Sequence, residues 1–276
     1  MSGLGRLAAV DVAALQESWD RQQEGYMPDR EERFGAMLDA VAATAGPGPV
    51  RLLDLAGGTG SITLRALRRF PAVEATVLDL DPALLAIAEA TFAEPSHAEP
   101  SHAGPSDAEP GRTGRVAVVA ADLSAAGWVD ALPRREYDAV LTATALHWLP
   151  GERVSGLYGE IRQLLRPGGI FVNVDHIPDD GLPTLTKQLL AAEETVRNAR
   201  YAAGAALSWA RWWEHLATIE ELAPLVARRH EIYPTGHAAE FTPSLAWHVD
   251  ALRAAGYSEA GVLWRGGPDA AVAGVR

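Results

Sequence analysis

The chain has 276 residues, no cysteine and a formal charge of -12, with 36 acidic against 24 basic side chains. That length leaves room for one large α/β domain with a sizeable core, while the missing cysteine excludes disulfides, thiolate metal sites and a cysteine nucleophile. The charge argues against nucleic acid as a partner, and no stretch reaches the ~20 apolar residues that cross a bilayer, so the expectation is a soluble cytoplasmic enzyme without a membrane partner.

Residues 7–24 and 29–45 read as two helices, the second opened by an Asp29 and Glu32 capping box and striped by Phe34, Met37, Leu38 and Val41. Gly46-Pro47-Gly48-Pro49 ends this amino-terminal unit of 1–49. Val50 to Ser61, VRLLDLAGGTGS, is then a strand, a glycine turn and the start of a helix. Glycines suit a turn on which a ligand lies close to the backbone, and such turns at the carboxyl ends of parallel strands hold nucleotides. Val73 to Asp79 is a second strand, ending in an acid nineteen residues beyond Gly60. A carboxylate at that distance is placed to accept hydrogen bonds from both hydroxyls of a ribose. Asp81 and Pro82 start the next helix as N-cap and first residue, a sufficient structural role for Asp81.

From 94 to 114 the chain carries a five-residue repeat of small, polar and proline residues, read as a surface insertion unable to bury enough apolar area to order itself. His97 and His102 sit in it with nothing to fix their geometry, so no metal site is expected. Arg115 to Ala121 is the third strand, followed by Asp122, whose carboxylate can accept an adenine amine or cap the turn at Ser124. Tyr137 to Thr142 is the fourth strand and runs into ATALHWLP; a helix from Gly151 to Leu165 and a fifth strand, Ile170 to Asp175, follow. Five strands alternating with helices predict a doubly wound parallel sheet over 50–175. Residues 176–242 break the rhythm with helical segments rich in tryptophan, either a lid over the ligand edge or ordinary packing. In 243–276, a helix over Pro243 to Ala255 precedes two strands, Ala260 to Trp264 and Ala270 to Val275, expected as an antiparallel pair at the sheet edge.

The stretches LLDLAGGTGSIT, VLDLDPALL, VVAADLS, YDAVLTATALHWL and LLRPGGIFVNV, in this order, resemble the class I S-adenosylmethionine-dependent methyltransferases. In wording, ALHWLP with LLRPGG is similar to the trans-aconitate methyltransferase branch. The resemblance implies a Rossmann-like, seven-stranded sheet with one antiparallel strand, S-adenosyl-L-methionine as cofactor and a small-molecule acceptor methylated at O, N or C. It places Asp54 and the backbone of Ala56, Gly57, Gly58 and Gly60 at the methionine part, Asp79 and Leu80 at the ribose, Asp122 and Leu123 at the adenine. Thr142 and Ala143 would lie beside the sulfonium. Ala56 departs from the family's glycine, which is tolerable if it keeps a negative φ. Arg33 is a candidate partner for the cofactor carboxylate, and His176, ahead of His147, a candidate base. Two other readings stay open: a protein that holds the cofactor without transferring its methyl, and a nicotinamide-dependent oxidoreductase, although the turn lacks G-x-G-x-x-G spacing. The oligomeric state is not written in the sequence; a homodimer is one option.

Overall fold

Strand β1 (Arg51–Leu55) is apolar on both faces because it lies at the centre of a sheet with helices on either side. The computed structural model describes residues 7, 10–93, 112, 113, 115–234 and 240–276; most of the 94–114 repeat, with His97 and His102, lies outside them. The other strands are β2 (Glu74–Asp79), β3 (Arg112–Thr113), β4 (Val116–Ala120), β5 (Tyr137–Ala143), β6 (Leu165–His176), β7 (Glu259–Gly266) and β8 (Asp269–Val275). Their order is β3-β4-β2-β1-β5-β6-β8-β7. The chain runs outward from β1 through β2 to β4, then returns to the other side of β1 as β5 and β6. A crevice therefore opens at the carboxyl ends where the direction of travel reverses, the usual ligand position in such sheets.

The expected seven strands are present, with a two-residue eighth, β3, antiparallel on the β4 edge. The carboxyl-terminal strands form the expected antiparallel pair at the sheet edge. β8 inserts antiparallel between β6 and β7, and β7 takes the edge. The Arg166-Pro167-Gly168-Gly169 segment belongs to the start of β6, where Gly168 N–H donates to Arg276 O and Arg276 N–H to Gly169 O.

Helices α1 (Val12–Tyr26) and α2 (Arg30–Thr44) precede the sheet, and α3 (Ser61–Arg69) and α4 (Pro82–Ala93) follow β1 and β2. The anticipated capping box at Asp29 does not form. Asp29 sits at φ 62° without a side-chain cap, and Glu24, from the last turn of α1, accepts the N–H groups of Asp29 and Arg30 at 3.1 Å each. A carboxylate already held there by α1 makes a local cap redundant, and aspartate tolerates the left-handed conformation. Helices α5 (Gly151–Leu164) and α9 (Leu245–Ala254) cover the face opposite α2 and α3. Between β6 and α9 stand α6 (Pro183–Ala202), α7 (Trp209–Leu216) and α8 (Ala223–Ile232). α7 and α8 pack with α1 and α4 in a separate cluster of Trp19, Leu84, Ile87, Trp212 and Leu216. Among the described residues no helix is long and apolar enough to cross a membrane.

Candidate active site

A cleft of about 650 Å³ runs over the carboxyl ends of β1, β2, β4 and β5, within the range of cavities that hold drug-sized ligands. Its floor is the turn after β1. Ala56 stands there at φ 52°, so the expected negative φ is not kept. The bond from Gly57 N–H to Leu78 O, 3.0 Å, ties the turn to β2 and holds Ala56 in the left-handed region despite its Cβ. Gly57 is required for closeness rather than for rotation: a Cβ there would meet the Asp54 carboxylate at 2.7 Å. Gly58 needs its freedom at φ 56° and turns its N–H onto Asp79 Oδ2 at 2.8 Å.

Asp54, Asp79 and Asp122, from three strand tips, all line this cleft. Asp54 is fully buried; its Oδ2 accepts Thr63 N–H at 3.0 Å and Thr63 Oγ1–H at 2.8 Å. Its Oδ1 has no partner among the described residues. Burial pushes the Asp54 carboxyl up to about 6, against the pull of the two Thr63 bonds. Asp79 Oδ1 accepts the N–H groups of Leu80 at 2.7 Å and Asp81 at 2.9 Å. Burial nevertheless leaves its pKa raised, because these bonds and the one from Gly58 offset only part of the desolvation. Asp122 Oδ1 closes a turn on Ser124, at 2.8 Å to N and 2.6 Å to Oγ. Its own-turn role is thus filled by one oxygen.

Other residues named from the sequence fall in and out of the cleft. Ala56, Gly57, Gly58, Leu80, Leu123 and Ala143 line it. Gly60, at φ 80°, begins α3 against Phe92, and Thr142 is buried in β5; neither is part of the lining. Arg33 is also outside it. Its guanidinium donates to the carbonyls of Pro28 and Met27 and lies 3.5 Å from Asp269, so it locks the α1–α2 corner to β8 and cannot serve as the free fork expected. One turn earlier, Arg30 does line the cleft, with Nη1 2.5 Å from Asp20. An arginine at this place was visible in the sequence, but its direction follows from the left-handed Asp29, which no pattern announces.

The two histidines also differ. His147, in the short turn after β5, lines the cleft; its Nδ1 lies 2.7 Å from Asp175 Oδ1, and Nε2 has no partner among the described residues. His176 is outside the main cleft. Its Nδ1 is 2.6 Å from Asp269 Oδ1, and its ring stands edge-on to Tyr26 at 5.2 Å. Burial works against its protonation, but Asp269's bond and charge prevail and raise its pKa. The positional preference for His176 is therefore reversed. Sequence reasoning also passed over Tyr26, Gln23 and Glu240, which line the same cleft. They come from α1 and the segment before α9, so only the tertiary fold brings them together.

The insertion closes one side. Asp81 caps α4 by accepting from Ala83 and Leu84 N–H, as expected, and its other oxygen lies 2.7 Å from Arg229 Nε of α8. Arg229 rests over the Trp213 ring at 4.0 Å. Trp212 and Trp213 are packing residues, whereas Trp209 forms part of the cleft wall.

The donor set fits a cationic nucleoside: an unpaired buried carboxylate oxygen, a carboxylate at the β2 tip and a backbone that leaves no space for a Cβ. Residues 53–171 match a family model described as a methyltransferase domain. The ubiquinone/menaquinone biosynthesis C-methyltransferase UbiE of Methylobacterium nodulans is 34% identical over 137 residues, 49% of this chain and 46% of that protein. The trans-aconitate 2-methyltransferase of Streptomyces avermitilis is 33% identical over 140 residues, 51% of this chain and 45% of that one. The matched region thus spans less than half the length of these curated relatives. In fold, the chain is similar to the S-adenosylmethionine-dependent methyltransferase SibL in its apo form, with a TM-score of 0.53 at 21% identity over 98% of this chain and 70% of that one. Human N-acetylserotonin methyltransferase in complex with SAM gives 0.52 at 14% identity, over 98% and 59%. Over residues 53–171 the chain is similar to methyltransferase domains, and its fold is the one seen in S-adenosylmethionine-dependent methyltransferases.

Proposed function

We propose that this protein transfers the methyl group of S-adenosylmethionine to a nucleophilic atom of a small molecule. The observation that supports it is the convergence of Asp54, Asp79 and Asp122 on one cleft that His147 also lines. The bound cofactor supplies a methyl already activated by a sulfonium, so the protein's work is alignment and exclusion of water. In this reading Asp54 Oδ1 takes the methionine ammonium, and Arg30 lies nearby for the carboxylate. Asp79 takes the ribose hydroxyls, and Asp122 the adenine amine. Helices α1, α2, α7 and α8 form the acceptor's surroundings.

His147 is the base. With Nδ1–H donated to Asp175, the Nε2 of this cleft-lining residue is left as a buried lone pair without a partner among the described residues. When the acceptor's nucleophilic atom gains the methyl, the proton it carries would pass to Nε2. Asp175 Oδ1, 2.7 Å from Nδ1, fixes the orientation of the ring. Calorimetry tests the first half of the proposal. The wild type should bind S-adenosylmethionine and S-adenosylhomocysteine, and Asp79→Ala should weaken both by tenfold or more. No heat and no thermal shift with either ligand would remove the proposal.

A further inference from the structure

We infer that the methyl acceptor is a ring compound carrying a hydroxyl or amine with a neutral or positive overall charge, and that Glu240 selects it by charge. This rests on the methyl-transfer reading of the cleft. Two cationic side chains line the cleft among the described residues, and each is already matched: Arg30 to Asp20 at 2.5 Å, Arg229 to Asp81 at 2.7 Å. The carboxylates outnumber them. Asp54, Asp79 and Asp122 sit at the strand tips assigned to the cofactor, and Asp81 caps α4. That leaves Glu240 as the lining carboxylate of the acceptor half.

Its place is fixed by its neighbour. Phe241 N–H donates to His147 O at 2.8 Å, so Glu240 follows the chain directly alongside the proposed base. It is exposed on the cleft side, and no ion pair holds it among the described residues. Tyr26 also lines the cleft, with the His176 ring edge-on to it at 5.2 Å and the guanidinium of Arg197, which is not among the lining residues, 5.5 Å from its ring. Burial first, and then the fields of Glu240 and Asp175, keep the Tyr26 hydroxyl protonated well beyond its ordinary range. The region between Tyr26, Glu240 and His147 is thus negative, walled by the Tyr26 and Trp148 rings. An acceptor carboxylate entering it would meet a like charge and no unmatched cation. A flat molecule with an ammonium or no charge meets neither cost.

The test uses two probes that share a phenol and a two-carbon arm but end in opposite charges, tyramine and 3-(4-hydroxyphenyl)propionate. Each is titrated calorimetrically into the full chain saturated with S-adenosylhomocysteine. Tyramine should bind at least tenfold tighter. Glu240→Gln should reduce the ratio below threefold and Glu240→Lys should invert it, with circular dichroism unchanged because the side chain is exposed. Equal binding, a preference for the propionate in the wild type, a preference that survives Glu240→Lys, or binding of neither probe would overturn the inference while leaving the cofactor reading intact. A protein that does not take up S-adenosylhomocysteine at all would bring down the cofactor reading, and the inference with it.

Discussion

The sheet and the insertion after β6 are built on opposite terms. In β5 and β6, Tyr137, Val140, Phe171 and Val172 are fully buried, and their backbones are paired on both sides. In α6, twenty residues long, Thr186 is the buried residue, while Leu185, Leu190 and Val196 are 46%, 43% and 50% exposed. α7 and α8 are held by the apolar cluster they share with α1 and α4, and polar contacts add to it: Arg229 on Asp81, Trp212 Nε1 on Ser18 Oγ at 3.1 Å, and Arg200 of α6 on Glu24 O at 3.3 Å. The lesson is a division of labour. The strand-tip half of the cleft rests on paired, buried strands, whereas within the insertion α7 and α8 are packed onto α1 and α4 and α6 stays largely at the surface.

The widest gap this contrast predicts is in packing. Phe171→Ala removes a ring that contacts Tyr158 and Tyr257 within the sheet's core and should cost about 3–5 kcal/mol in chemical denaturation. Leu190→Ala on α6 should stay within about 0.5 kcal/mol. If the two losses came out similar, α6 would be buried in solution and the contrast would fail.

Arg229→Met probes the join between the two regions. It strands Asp81, whose carboxyl burial and the charge of Asp79 already push up to about 6 with Arg229 present. An unpaired buried carboxylate is costly, so the loss should be about 2–4 kcal/mol at pH 8. A folded-state pKa above the unfolded value means the folded protein holds the proton more tightly, and stability falls as pH rises between the two values. Removing the arginine raises the folded-state value further and widens that window upward. The deficit against the wild type should therefore shrink from pH 8 to pH 5 in urea titrations. A deficit independent of pH would mean the arginine acts only through its stacking on Trp213.

The same division explains what could be read in advance. The strands themselves, the glycine turn and the acids at three strand tips were legible because each rests on a short local pattern: an apolar run, a turn, a carboxylate at the end. Thr142 and Gly60 went astray for a simple reason, since a pattern fixes where a residue lies in a strand or turn and not which way it points. Arg33 and Arg30 are the clearest case. Both sit on α2, and Glu24 reaching over from α1 sets the corner that turns one onto β8 and the other toward the cleft. Tyr26 and Glu240 carry no motif at all; their pairing around His147 exists only through contacts between distant segments.

Ala56 gives the smallest and sharpest test, because it lies in the region where local pattern worked best and still misjudged the backbone. At φ 52° its Cβ crowds the following carbonyl, a cost of about 1–2 kcal/mol that a glycine does not meet. Glycine's greater freedom in the unfolded chain returns about 0.4–1 kcal/mol of that gain. Ala56→Gly should therefore stabilise the protein by roughly 0.5–1 kcal/mol, a rise in Tm of about 1–3 °C for a chain of this size. The affinity for S-adenosylhomocysteine should move by less than threefold, since Gly57 and Gly58 keep their contacts with Leu78 and Asp79. A loss of stability would put residue 56 at negative φ in solution, and the turn would then have to leave Asp79 by a different path.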